Sequence, residues 1–290
     1  MKSVFLSRLS STLVLWAVVL WTVFSGNEAG FFLVIAALGL TALWEFYRML
    51  DHKGLANFKI TGMVCGAILL AGSFLALSSR GLATACDVET FVLVGSLIAI
   101  FTRQMIHGLR EVQPLPTMAF TLFGLLYIAF LFSFMNKLVY VTPRTAEGVV
   151  TGQFYVLYLM VVTKFSDMGA YLTGSLLGKH PFVPHISPKK TWEGFFGALG
   201  FSLLGSFGLM ALMGSKIPLI TPWHAAALGL ILGFAAVIGD LAESVIKRAA
   251  DIKDSGRFLP GIGGALDLID SLLFTAPLLF FYLRCLLIQP

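Results

Sequence analysis

The sequence predicts an all-α protein that crosses a membrane repeatedly, with about nine transmembrane helices and a cytoplasmic N-terminus. Three observations predict it. Of the 290 residues, 58% are hydrophobic and only 12% charged, about half the charged share of an ordinary soluble domain. Mean hydropathy is +0.89. The apolar residues also come in blocks close to the roughly 20 residues a helix needs to cross hydrocarbon. The polar stretches between them are too short to fold as a soluble domain.

The blocks run over residues 9–25, 29–50, 60–78, 90–106, 117–135, 150–178, 195–213, 223–247 and 264–286. Lys2 and Arg8 lead into the first block, no small-residue cleavage site follows, and so it reads as a retained span rather than a signal peptide. The next four blocks are joined by short loops with ordinary charges, such as Asp51, His52 and Lys53, or Arg103, His107 and Arg110. Glu45 and Arg48, three apart on one helix face, are expected to pair near the membrane surface. The sixth and eighth blocks are long, carry charges toward their C-terminal ends, and are expected to extend past the hydrocarbon. Cys65, Cys86 and Cys285 are scattered, with neither a disulfide framework nor metal-ligand spacing. The chain therefore divides into N-terminal scaffold helices, 1–148, and C-terminal helices bearing the chemistry, 149–290.

Loop charge sets the orientation. With the N-terminus inside, fourteen Lys and Arg fall on the cytoplasmic side. Five fall outside (Arg80, Lys137, Arg144, Lys216 and Arg284), and Lys164 lies within the sixth span. This is a strong positive-inside bias. It places the C-terminus outside and the polar motifs described next in the cytoplasm. The net charge of +5 reflects this asymmetry rather than a basic domain, and no nucleic-acid partner is expected.

From residue 160 onward, ionisable groups stand inside or against apolar segments. Lys164, Asp167 and Tyr171 share one helix face, and a small-residue series follows: Gly169, Ala170, Gly174 and Gly178. Lys164 and Asp167 either close on each other between helices or leave Asp167 lining a polar cavity. Next comes Ser187-Pro188-Lys189-Lys190-Thr191-Trp192-Glu193-Gly194. Ser187 is expected to cap a helix that Lys189 and Lys190 enter, so that amides and ammonium groups form an anion site. Attraction of anionic lipid by the lysine pair is the alternative.

The third element is the richest. Asp240, Ser244 and Lys247 lie along one stripe of the eighth span, with Glu243 a turn away and Arg248 following. Asp251, Lys253 and Asp254 lead into Gly256 and then Pro260-Gly261-Ile262-Gly263-Gly264, glycines that let backbone amides approach a ligand. Asp267 and Asp270, three apart, share a face of the ninth span. Asp240, Asp267 and Asp270 are candidate ligands of an all-oxygen magnesium site, with no nearby His or Cys to favour a softer metal. Structural neutralisation of these aspartates by Lys247 and Arg248 is the alternative. Lysines for phosphates and hard carboxylates for magnesium together point to nucleotide chemistry at a membrane.

The string from Ser244 through Lys247-Arg248 and Lys253-Asp254 to Pro260-Gly261-x-Gly263-Gly264-x-x-Asp267-x-x-Asp270 resembles the signature of the phosphatidate cytidylyltransferases, or CDP-diacylglycerol synthases. The Ser187–Gly194 string and Asp167-x-Gly169-Ala170-Tyr171 are similar to two further hallmarks of that family, so the match covers residues 160–275. The resemblance implies an Mg²⁺-dependent enzyme of phospholipid biosynthesis in the bacterial inner membrane. It would join CTP to phosphatidic acid drawn from the bilayer, giving CDP-diacylglycerol and pyrophosphate. A second, monovalent cation such as K⁺ and a homodimer are both compatible with it. The implied catalytic residues are Asp240, Lys247, Arg248 and Asp267. Ser187, Lys189, Lys190, Thr191, Ser244, Lys253 and Asp167 would contact substrate, and Asp240, Asp267 and Asp270 would hold metal. The chain departs from the pattern at Ile262, where the family has His, and at Leu268, where it has Arg. Arg257, His180 and His185 are candidates to replace those donors. The rival readings are transfer to another lipid phosphate or a polyprenol, and secondary transport.

Overall fold

The structure, a computed structural model, describes residues 2–108, 113–142, 151–252, 255–256 and 263–287. The helices are α1 (Lys2–Ser25), α2 (Glu28–His52), α3 (Lys59–Arg80), α4 (Leu82–His107), α5 (Pro114–Gly124), α6 (Leu131–Val139), α7 (Gln153–Leu177), α8 (Trp192–Met213), α9 (Pro222–Ala249) and α10 (Ala265–Tyr282). A π-helical turn, Leu125–Phe130, joins α5 to α6 as one span. Each expected block therefore coincides with a helix. Among the described residues, seven helices are long and apolar enough to cross a membrane. α1 and α7 are 24 and 25 residues long, and α7 carries Lys164 and Asp167 within its length. The protein is a polytopic, all-α membrane protein, with one small addition among the described residues. That addition is an antiparallel hairpin of β1 (Pro181–Val183) and β2 (Ser187–Thr191).

Local chemistry accounts for the helix boundaries. Asn27 caps α2, its side-chain oxygen accepting from the Gly30 amide at 2.9 Å. Gly81, at φ +86°, takes the left-handed conformation that lets the chain reverse between α3 and α4. Pro114, at the start of α5, has no amide hydrogen to leave unsatisfied there.

The contacts divide the chain into two units: Met1–Tyr140 with Ala249–Ile269, and Val141–Arg248 with Asp270–Pro290. In the first, the Tyr47 hydroxyl donates to the Thr121 carbonyl at 2.7 Å and the Phe58 amide to the Thr121 hydroxyl at 2.8 Å. Lys137 departs from its expected place in an outer loop. α6 continues to Val139, so Lys137 is buried, with its ammonium 2.5 Å from the buried Glu89 carboxylate. Ser73 and Ser133 donate to Glu89 at 2.6 and 3.3 Å, and the Phe134 ring lies 3.7 Å from the lysine nitrogen. These partners compensate the charge that a loop would have left in water.

In the second unit α7 and α8 cross at glycines. A Cβ on Gly169 would meet the Gly197 carbonyl and Phe201, and one on Gly194 would meet the Ala170 carbonyl at 3.0 Å. This is the close backbone approach that small residues permit between membrane helices. Thr173 locks the crossing by donating to the carbonyls of Gly169 (2.7 Å) and Glu193 (3.1 Å). On the other side of α8, Ser202 donates to the Gly229 carbonyl of α9 at 2.7 Å.

Candidate active site

The crossing of α7 and α8 holds the hairpin between them. The Trp192 amide donates to the His180 carbonyl at 2.9 Å, and the His180 ring pairs with Glu193 at 2.6 Å, so the base of the hairpin is closed. Phe182 stacks on Phe195 and meets Trp192 edge-on. Lys189 and Lys190 were expected to enter a helix capped by Ser187; they lie instead in β2, and Thr191 caps α8. The reason is local. Pro188 pushes Ser187 toward extended backbone, and the strand continues to Thr191 at φ −123°, ψ 157°. The Thr191 hydroxyl then accepts from the Gly194 amide at 3.1 Å.

β2 delivers Lys190 to α9, where its ammonium lies 2.9 Å from Asp240. Arg248, two turns further on, donates to the Ile186 carbonyl in the hairpin turn at 3.4 Å. Lys189 is exposed, and Ser187 and Ser244 are half-buried. Lys247 closes on the buried Glu243 at 2.5 Å.

Helices α9 and α10 meet at Gly239, where a Cβ would strike the Asp270 carbonyl at 2.7 Å and the Ser271 Cα at 2.8 Å. Only glycine permits this approach, and it brings Asp270 beside Asp240. The carboxylates of Asp240, Glu243 and Asp270 each offer an oxygen within 4.8 Å of the others. Asp270 is buried and accepts from the Ser271 amide at 2.6 Å. Lys164 pairs with Asp167 at 2.9 Å, and the Ser271 hydroxyl donates to Asp167 at 3.5 Å, so the pair on α7 is tied to α10. Three lysines thus each face a carboxylate: Lys164 with Asp167, Lys190 with Asp240, and Lys247 with Glu243.

Asp267, one turn before Asp270 on α10, belongs to the first unit. Its carboxylate accepts from the Gly264 amide at 2.6 Å, an acidic group at the positive end of a helix. Gly263, at φ +123°, makes the turn into α10. Leu268, where the family pattern has Arg, is half-buried. Lys253, Arg257 and Ile262 lie outside the described residues.

Three oxygen donors this close, with lysines around them, fit a small hard cation such as Mg²⁺. An anionic phosphate would find ammonium groups on two sides.

The cytidylyltransferase family profile matches residues 6–286 of the chain. A phosphatidate cytidylyltransferase of Bacillus subtilis is 31% identical over 271 residues, covering 93% of this chain and 94% of the relative. The chain belongs to the cytidylyltransferase family. A phosphatidate cytidylyltransferase of Mycobacterium bovis is 33% identical over 250 residues, 84% of this chain and 76% of its own length. One of Staphylococcus aureus is 40% identical over 161 residues, covering 56% and 57% of the two chains.

Two carboxylates of this cytidylyltransferase-family chain had no expected place in the site. Glu243 joins the oxygen cluster, and its signal was available: it stands three residues after Asp240, on the same helix face. Glu45 was expected to pair with Arg48. It is buried instead and accepts from the Leu266 amide at 2.9 Å, a contact 221 residues away in sequence that no local pattern announces.

Proposed function

We propose that this protein transfers the cytidylyl group of CTP to phosphatidic acid, releasing pyrophosphate and leaving CDP-diacylglycerol in the membrane. The observation that carries the reading is the convergence of the hairpin lysine Lys190 on the α9–α10 carboxylates. The chain around that site is matched nearly end to end by a phosphatidate cytidylyltransferase.

An oxygen of the lipid phosphate attacks the α-phosphorus of CTP, and the bond from that phosphorus to the β-phosphate bridge breaks. Both reactants are anions, so the protein chiefly positions them and neutralises charge. Lys189, Lys190, Lys247, Arg248 and Lys253 supply that positive charge to the triphosphate and the lipid phosphate. Thr191 and Ser187 shape the hairpin that presents the lysines, and Ser244 lies one turn from Asp240. Asp167 holds Lys164 at the edge of the carboxylate cluster. No general base is required, because a phosphate monoester is already ionised near neutral pH.

Asp240, Glu243 and Asp270 would hold Mg²⁺, and by family resemblance Asp267 would be a further ligand. When bound, the ion supplies charge neutralisation and orientation for the phosphates. A second, monovalent cation and a homodimer remain parts of the same proposal. The bias of Lys and Arg between loops supports an active site on the cytoplasmic face of a bacterial inner membrane.

The test is incorporation of radiolabelled CTP into organic-extractable lipid by purified protein given phosphatidic acid and Mg²⁺. Label is expected in lipid with the wild type and absent with Asp267→Asn. Folded wild-type protein that leaves all label in the aqueous phase would overturn the reading.

A further inference from the structure

Glu45 lies on α2, in the half of the sequence that reads as scaffold, yet its side chain is 5% exposed and directed at the chain around Asp267. Its Oε2 accepts from the Leu266 amide at 2.9 Å and from the Ser255 hydroxyl at 3.5 Å. The backbone is shaped to receive it. A Cβ on Gly264 would come to 2.5 Å from Oε2, and one on Gly256 would strike Oε1. A Cβ on Gly264 would also meet the Gly256 nitrogen at 2.8 Å, so residues 255–256 and 263–264 lie side by side. The carboxylate fills the space that these glycines leave.

The contact reaches Asp267 in one step. The Leu266 amide is one of the unpaired donors at the start of α10, and the Gly264 amide is another. Glu45 takes the first, and Asp267 Oδ2 takes the second at 2.6 Å. Gly263, at φ +123°, would itself clash with Asp267 Oδ2 at 2.5 Å if it carried a Cβ. The turn, the helix start and the direction of the Asp267 carboxylate are thus set together, and Glu45 joins them from α2.

We infer that Glu45 is a positioning residue for Asp267: by accepting the Leu266 amide it sets the helix start from which Asp267 is presented to metal. The inference rests on the proposed metal role of Asp267. It requires an acceptor oxygen at this position, not merely a side chain of the right size.

The test titrates Mn²⁺, as a paramagnetic stand-in for Mg²⁺, into the full-length protein in detergent and follows binding by electron paramagnetic resonance. Glu45→Leu keeps the bulk and removes the acceptor. It is expected to weaken Mn²⁺ binding about 10- to 100-fold, the usual effect of losing an outer-shell partner of a metal ligand. Glu45→Gln keeps an acceptor oxygen and is expected to bind Mn²⁺ close to wild type. A folded Glu45→Leu protein with wild-type affinity would overturn the inference, and so would Glu45→Gln losing as much as Glu45→Leu. Should the leucine variant fail to fold, Gly264→Ala, whose Cβ displaces the Glu45 carboxylate, decides by the same titration: unchanged affinity overturns it. Wild-type protein that binds Mn²⁺ but leaves CTP label out of lipid defeats the proposed reaction and not this inference. Wild-type protein that binds no Mn²⁺ defeats the inference.

Discussion

Lys190 on β2 and Asp240 on α9 stand 2.9 Å apart, ammonium to carboxylate, so a five-residue strand is ion-paired to one carboxylate of the α9–α10 cluster. Each group holds the other where its own ligand is expected: phosphate for the lysine, metal for the aspartate. Lys190→Met is expected to lower kcat/KM for CTP about 100-fold or more, the usual effect of removing a donor that meets developing charge. Initial rates at varied CTP, with thermal unfolding run alongside, check this. A reduction below threefold would remove Lys190 from the site.

Chelation supplies a second prediction. EDTA is expected to abolish transfer and added Mg²⁺ to restore it, because the clustered donors of Asp240, Glu243 and Asp270 are all oxygens. Glu243→Gln is expected to raise the Mg²⁺ concentration needed for half-maximal rate while leaving the KM for lipid nearly unchanged. The assay is a Mg²⁺ titration of both proteins.

The glycine crossing of α7 and α8 gives a stability prediction. Gly169→Leu drives a side chain into the Gly197 carbonyl and Phe201, and overpacking of this kind costs about 1–3 kcal/mol. A lower melting temperature in detergent is expected. Because α8 carries the hairpin at its start, the folded fraction is also expected to bind CTP more weakly. Calorimetric CTP binding to the folded protein measures the second effect.

Removing one partner of the buried Lys137–Glu89 pair leaves the other uncompensated, at a cost of about 3–5 kcal/mol. Lys137→Met is expected to unfold at distinctly lower temperature than wild type, and Lys137→Met with Glu89→Gln to recover much of the loss. Turnover per folded molecule should not change in the double variant. Thermal unfolding of the four proteins completes the cycle.

The spans were legible in the sequence because hydrocarbon imposes one length and one composition on every helix that crosses it. The stripe Asp240–Ser244–Lys247 was legible for a similar reason: helical spacing fixes which residues share a face. The hairpin was not. β2 has only five residues and β1 three, too few for a period-two pattern, and a serine before proline and two lysines resembles a helix start as much as a strand. Glu45 was invisible for a different reason: its partner is a backbone amide, and amides carry no residue identity. Lys137 was misplaced because a charge near the end of an apolar block usually marks water, and only the presence of Glu89 on another helix reverses that rule.

That last pair bears on how the protein is made. Helices enter the bilayer in order as the chain is synthesised, so α4 arrives with Glu89 before α6 arrives with Lys137. An uncompensated charge costs about 3 kcal/mol at the centre of an inserting helix, and less where these two stand, Lys137 in the last turn of α6 and Glu89 in the first third of α4. Neither segment brings its own counter-ion into the lipid; each is supplied with one by the other. The fourth span therefore completes the compensation of its buried charge only when the fifth is in place beside it.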